Sequence, residues 1–333
     1  MAARWRRLVL PLALAAALPL ARLGPVAAAQ APTPPAAPAR HVDRDLLMSD
    51  VGTLGAAAFE GRSTGTPGGL RARQWIVEQF RNVGLQPAQT GGYLQPFTAT
   101  ARDLRAILPG GRPFRSTHAG ANVVGRLPGR DPDGGIIAVT AHYDHLGVRD
   151  GVVYPGADDN ASGIAVLLAA ARYFGRNSAR HGLVFAALDA EELGLRGARA
   201  LLGSAWFPRD RVVLNVNLDM VSRNDRNELY AAGPYHSPWQ TPILLDVQGR
   251  AAVRLLFGHD RPESRSRGLD DWTHSSDHAA FHEARIPFVY FGVEDHPDYH
   301  KPTDTADRID PRFFGDAADT IVEALRTFDA RLP

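Results

Sequence analysis

The sequence contains no cysteine among its 333 residues. That absence excludes disulfides, a cysteine-held structural zinc and a lipid anchor on cysteine. If the chain is exported, its stability must come from core burial, bound metal, or both. A surplus of charge is missing too. Lysine plus arginine number 37 against 36 aspartates plus glutamates, which leaves no basic footprint for a nucleic acid or other polyanion. The apolar run at the N-terminus, Leu8–Leu20, has thirteen residues, whereas a bilayer-spanning helix needs about 20. No internal repeat of roughly 20–50 residues marks a solenoid or propeller.

What is present starts with an address. Arg4, Arg6 and Arg7 precede the apolar run, and Ala27-Ala28-Ala29 offers a small-residue cleavage site before Gln30. This is the layout of a secretory signal peptide over residues 1–29. It implies a secreted or periplasmic product with no stable membrane insertion after cleavage; an uncleaved anchor is the alternative. Arg6-Arg7 is a poor twin-arginine match in its flanking residues. Residues 30–40 form a proline- and alanine-rich linker, with four prolines between Ala31 and Pro38. The mature domain is then 41–333, and 44% hydrophobic content over the chain suffices for a sizeable core.

Within that domain, apolar residues at helical spacing predict helices over Leu70–Asn82, Gly163–Phe174, Leu193–Leu202 and Pro311–Leu332. Continuous or β-branched apolar runs predict strands at Asn122–Leu127, Ile136–Ala141, Leu183–Leu188, Val212–Leu218 and Ile286–Phe291. The stretch from Gly84 to Gly120 reads as a glycine-rich, turn-rich connection. Strands alternating with helices point to a single α/β domain. Its sheet is twisted and mixed, with helices on both faces.

Chemically apt residues stand at the ends of these strands, where open α/β sheets place their ligands. His142-Tyr-Asp144 follows the strand at 136–141. Glu191-Glu192 follows 183–188, Asp219 ends 212–218, and Tyr299-His300 lies beyond 286–291. Asp158-Asp159-Asn160 sits between Gly156 and Gly163 ahead of a helix. Such residues also serve as helix caps, so that Asn160 or Ser162 can cap while Asp159 binds. Two imidazoles and three carboxylates without a thiolate suit a hydrolytic metal pair better than a structural zinc. Of the paired glutamates, one can bind metal while the other stays free as a general base.

In combination, these segments resemble peptidase family M28, the co-catalytic zinc metallopeptidases. The resemblance rests on His142-x-Asp144, Gly156-Ala-Asp-Asp-Asn-Ala-Ser-Gly163, Glu191-Glu192-Leu-Gly, Asn217-Leu-Asp219-Met and Tyr299-His300-x-x-x-Asp304-Thr305, which occur in the family's order. Phe59–Gly68 and Asn122–Gly129 also look like family segments. The resemblance implies about eight strands, two zinc ions and a peptide substrate. It assigns His142 and Asp219 to one zinc, Glu192 and His300 to the other, and Asp159 to both. Asp144 would orient His142, Glu191 would be the general base, and Tyr299 would polarise the scissile carbonyl. A cis peptide bond after Asp159 is implied as well.

His145 lacks a counterpart among the family's ligands and is set aside, as is His296. Asp277-His278 is expected to shape the pocket wall. The leading function is an exported di-zinc aminopeptidase. A glutaminyl cyclase with a single zinc, and a carboxypeptidase whose clamp would come from Arg261, Arg265 and Arg267, are the alternatives. A non-enzymatic interaction module is a remote one.

Overall fold

The computed structural model describes residues 40–108, 112–261 and 270–333. The signal segment 1–29, the linker up to residue 39, and Arg265 and Arg267 lie outside the described residues.

The strands in chain order are β1 (Gln86–Pro87), β2 (Leu94–Leu108), β3 (Arg112–Leu127), β4 (Ile136–His142), β5 (Gly147–Arg149), β6 (Val152–Tyr154), β7 (Gly182–Leu188), β8 (Val212–Leu218), β9 (Glu228–Ala232), β10 (Arg254–Phe257) and β11 (Phe288–Gly292). Nine of them form one mixed sheet in the order β1-β3-β7-β4-β8-β11-β9-β10, with β2 paired to β3. The pairs β4–β7, β4–β8 and β8–β11 are parallel, and β3 meets β7 antiparallel. β5 and β6 make a separate hairpin.

Among the described residues, seven α-helices cover the sheet: α1 (Arg44–Leu54), α2 (Pro67–Val83), α3 (Gly163–Arg176), α4 (Arg196–Leu202), α5 (Thr241–Gln248), α6 (His278–Glu283) and α7 (Pro311–Arg331). Successive strand residues point to opposite faces, and the central strands are apolar on both. Ile137, Val139 and Ala141 of β4 join one core with Leu47, Phe80, Leu168, Leu244 and Phe328 from α1, α2, α3, α5 and α7. Ile136 and Ala138 join a second core with Leu201 of α4 and Phe281 of α6. This two-sided burial is why β4, β7 and β8 read as unbroken apolar runs.

Three sequence expectations need correction. The stretch 84–120 is not a turn-rich connection, since β1, β2 and most of β3 lie in it. α1 precedes the first helix read from the sequence and is capped by Asp43, whose carboxylate accepts from the N–H groups of Asp45 and Leu46. α4 starts at Arg196 rather than Leu193, because the chain turns sharply through 190–195, with Ala190 and Leu195 both at positive φ. Glu191 and Glu192 therefore sit in a turn and not in a helix's first turn. Among the described residues, no helix is long and apolar enough to cross a membrane.

Candidate metal centre

The parallel strands β4, β7, β8 and β11 end on one edge of the sheet, and His142, Asp159, Glu191, Glu192, Asp219, Tyr299 and His300 converge there. His142 is the last residue of β4, and Asp219 directly follows β8. The turn after β7 presents Glu191 and Glu192. The loop after β11 returns to place Tyr299 and His300.

The loop 157–162 is tied down by its backbone and by the side chains of Asp158 and Asn160, which leaves the Asp159 carboxylate to the metal groups. The Asp304 carboxylate accepts from the backbone N–H groups of Asp158 and Asp159, at 3.1 Å each. The Asp158 carboxylate accepts from Ser222 N–H at 2.8 Å and Ser222 O–H at 2.7 Å. Asn160 donates to the Leu218 carbonyl and accepts from Gly163 N–H, both at 2.9 Å, which makes it a cap of α3. The Asp159–Asn160 peptide bond is cis, in line with the family expectation. His296 contacts Asp158 at 3.1 Å and belongs to this scaffold, not to the ligand groups.

Two groups of metal-competent atoms result, both using Asp159. In the first, His142 Nε2 lies 3.4 Å from Asp159 Oδ1 and 3.3 Å from Asp219 Oδ1. In the second, His300 Nε2 lies 3.0 Å from Asp159 Oδ2 and 3.4 Å from Glu192 Oε1. One carboxylate thus offers one oxygen to each group. The structure adds His145 to the second group: its Nδ1 lies 2.9 Å from Glu192 Oε1 and 3.6 Å from Asp159 Oδ2.

Asp144 does more than face His142. Its own backbone carbonyl lies 3.0 Å from His142 Nδ1, whereas its carboxylate is 3.7 Å away. That carboxylate accepts from Glu191 N–H at 3.0 Å and Glu192 N–H at 3.3 Å. It therefore fixes the glutamate turn against the end of β4.

Arg62 is the residue sequence reasoning missed. It is fully buried, and its guanidinium donates to the carbonyls of Leu54, Tyr143, Pro155 and Gly156 at 2.6–2.8 Å. It joins the loop behind β4 to the loop carrying Asp159. Burial lowers its pKa to about 10, against the opposing pull of Asp159, Asp304, Asp144 and Glu192. The signal available was a lone arginine inside the Gly- and Thr-rich segment 59–68, which gave no hint of its partners.

Crowded charge sets the electrostatics. Burial opposes protonation of His300, but Asp159 and Glu192 override it and raise the imidazole to about 10. Burial also opposes ionisation of Asp159, yet the surrounding imidazoles hold its carboxyl well below the usual range. Glu191 is pushed well above a normal carboxyl by burial; Asp277, Asp219 and Glu192 add to that shift and His142 offsets part of it. Asp277 is completely buried with neither carboxylate oxygen hydrogen-bonded, and burial pushes it up to about 8. His278 stacks on Tyr290 behind the wall, with ring centroids 4.6 Å apart.

The site opens into a cleft of about 610 Å³ lined by His142, Asp159, Glu191, Glu192, Asp219, Tyr299 and His300, among others. Tyr299 stacks on His300 at 4.0 Å. Asp270, Asp271 and Asp295 also line the cleft, and among the described residues no lysine or arginine does. Arg261 instead lies over the Tyr235 ring at 4.9 Å.

The donor set fits zinc. It consists of imidazoles and carboxylates at hydrogen-bond-like separations, and the buried atoms His145 Nδ1, His145 Nε2 and Glu192 Oε1 have no hydrogen-bond partner. Residues 122–325, more than half the chain, match Peptidase family M28. The chain belongs to that family. The M28 chain is 33% identical over 210 residues to an aminopeptidase of Bacillus subtilis (strain 168), covering 59% of this chain and 41% of that protein. It is 28% identical over 220 residues to a probable zinc metalloprotease of Pyrenophora teres f. teres (strain 0-1), covering 62% of this chain and 42% of that one. The chain thus matches less than half the length of either relative. A solved aminopeptidase from Aneurinibacillus sp. strain AM-1 shares the fold at a TM-score of 0.68 and 19% identity, over 86% of this chain and 93% of that one.

Proposed function

We propose that this M28 protein is a di-zinc aminopeptidase that hydrolyses the N-terminal peptide bond of its substrates. The observation that carries the reading is the shared Asp159, one oxygen to each metal group, with Glu191 beside both groups and outside either. His142, Asp159 and Asp219 would hold one zinc, and Asp159, Glu192 and His300 the other. When bound, the zinc pair would supply Lewis acidity and lower the pKa of a coordinated water.

The chain's own residues do the rest. Glu191 accepts the proton of the attacking water and returns it to the departing amine. Tyr299 lines the cleft with its ring stacked on His300, and its O–H can donate to the carbonyl oxygen as it becomes anionic. Asp144 holds the backbone of Glu191 and Glu192, so base and ligand move together.

Preference for a free amino terminus is supported by the cleft's charge. Asp270, Asp271 and Asp295 favour a substrate end bearing an amine. Binding by the amine places the first carbonyl over the water, a proximity gain open only to N-terminal residues. The test compares leucyl amides, their N-acetylated forms, N-blocked dipeptides with free C-termini and N-terminal glutaminyl peptides, with zinc content measured on the same sample. Loss of turnover on acetylation supports the aminopeptidase. Turnover of the N-blocked dipeptides alone supports a carboxypeptidase. Cyclisation of the glutaminyl peptides at one zinc per chain supports the cyclase. Export with cleavage near Gln30 is part of the same proposal, and intact-mass measurement of the exported protein checks it.

A further inference from the structure

We infer that His145 is a fourth protein ligand of the second zinc, which makes the metal pair asymmetric: one ion enclosed by four side chains, the other held by three. The inference rests on the di-zinc reading above and adds a residue to it. His145 is fully buried, in the loop that continues from β4. Its Nδ1 and Glu192 Oε1 face each other at 2.9 Å, yet neither atom has a hydrogen-bond partner of acceptable geometry. Two unsatisfied lone-pair donors that close, deep in a protein, are costly unless something between them is shared.

The separations match a tetrahedral cage. Zinc bonds of about 2.0–2.1 Å in a tetrahedron put neighbouring donors about 3.3 Å apart. Four of the six donor–donor separations in the second group are 2.9, 3.6, 3.0 and 3.4 Å. His145, Asp159, Glu192 and His300 together form this group, whereas the first consists of His142, Asp159 and Asp219.

The local chain is shaped to admit the ring. A Cβ on Gly156 would lie 2.5 Å from Cγ and Cδ2 of His145, and Gly156 adopts a φ of +58°, which favours glycine. The residue that opens the Asp159 loop thus leaves the space in which the imidazole sits. Closure of the second group by four protein donors suits it to an electrostatic and structural task, while the three-donor group keeps a position open.

The test uses the full-length protein with both zinc ions exchanged for cadmium-113 and with nitrogen-15 in its histidines. Cadmium–nitrogen couplings then count the imidazoles on each ion directly. The expected result is one cadmium resonance coupled to a single imidazole, from His142, and one coupled to two. In His145→Ala the second resonance should lose one coupling and the first should keep its own. Zinc affinity at that site should fall by more than the roughly 10–100-fold that loss of an outer hydrogen-bond partner costs. One imidazole on each cadmium in the unsubstituted protein would overturn the inference while leaving the di-zinc reading intact, and it needs no variant to fold. Failure to bind cadmium at all would overturn both.

Discussion

Glu191 and His300 show how environment divides the work among groups that look alike in the sequence. Glu191 is kept out of both metal groups and is raised by burial; its neighbour Glu192 lies against two imidazoles. Glu191→Gln preserves shape but cannot accept a proton, so kcat should fall about 10²–10⁴-fold with zinc content unchanged. Near-normal turnover in that variant would refute the assigned base. His300 makes a second expectation. With its pKa raised to about 10 it carries a proton at neutral pH when no metal is present, and that proton must leave before its lone pair can bind zinc. Zinc uptake at pH 7 should therefore release protons, and zinc affinity should rise with pH up to that pKa. Calorimetry of zinc binding in buffers of differing ionisation enthalpy measures the number released. An uptake with no proton release would contradict the shift. At this scale the sequence was legible where strand ends carried the candidate ligands, as at His142 and Asp219. It was silent where a side chain's partners are backbone carbonyls, as for Arg62, or where a ligand depends on a neighbouring loop, as for His145 beside Gly156.

Among elements, the central strands declared themselves because both faces are buried: β7 and β8 appear where apolar runs predicted them. The β2–β3 pair did not, since its glycines, arginines and prolines read as turns and its pairing is made by the fold's own edge. The turn at 190–195 likewise broke a helical pattern that starts at Leu193, because Glu191 and Glu192 are hung from Asp144. Arg62 is the joint between elements: one guanidinium satisfies four carbonyls from α1, the loop after β4 and the start of the Asp159 loop. A lysine has three donors and no planar fork. Arg62→Lys should leave buried carbonyls unpaired and cost about 2–4 kcal/mol, read from urea midpoints of the zinc-free protein. Because both joined loops carry candidate ligands, zinc stoichiometry should fall as well. A stable variant with full zinc content would show that the four carbonyls find other partners.

For the whole molecule, the candidate ligands reach from His142 to His300, and helices α3, α4, α5 and α6 are strung between them. No short segment can assemble either group, so the cage exists only after β4, β8 and β11 have been laid side by side. Contacts that span so much chain come late in folding, after the loop-closure entropy has been met. Zinc should therefore act on one limb of the kinetics: little change in the refolding rate, and a large fall in the rate of unfolding. Stopped-flow unfolding in denaturant, with zinc and with a chelator, measures this; a refolding rate that climbs with zinc would place the cage early instead. In a chain without a single cysteine, the metal pair would then serve as a latch, indifferent to how quickly the protein is made and decisive for how long it lasts.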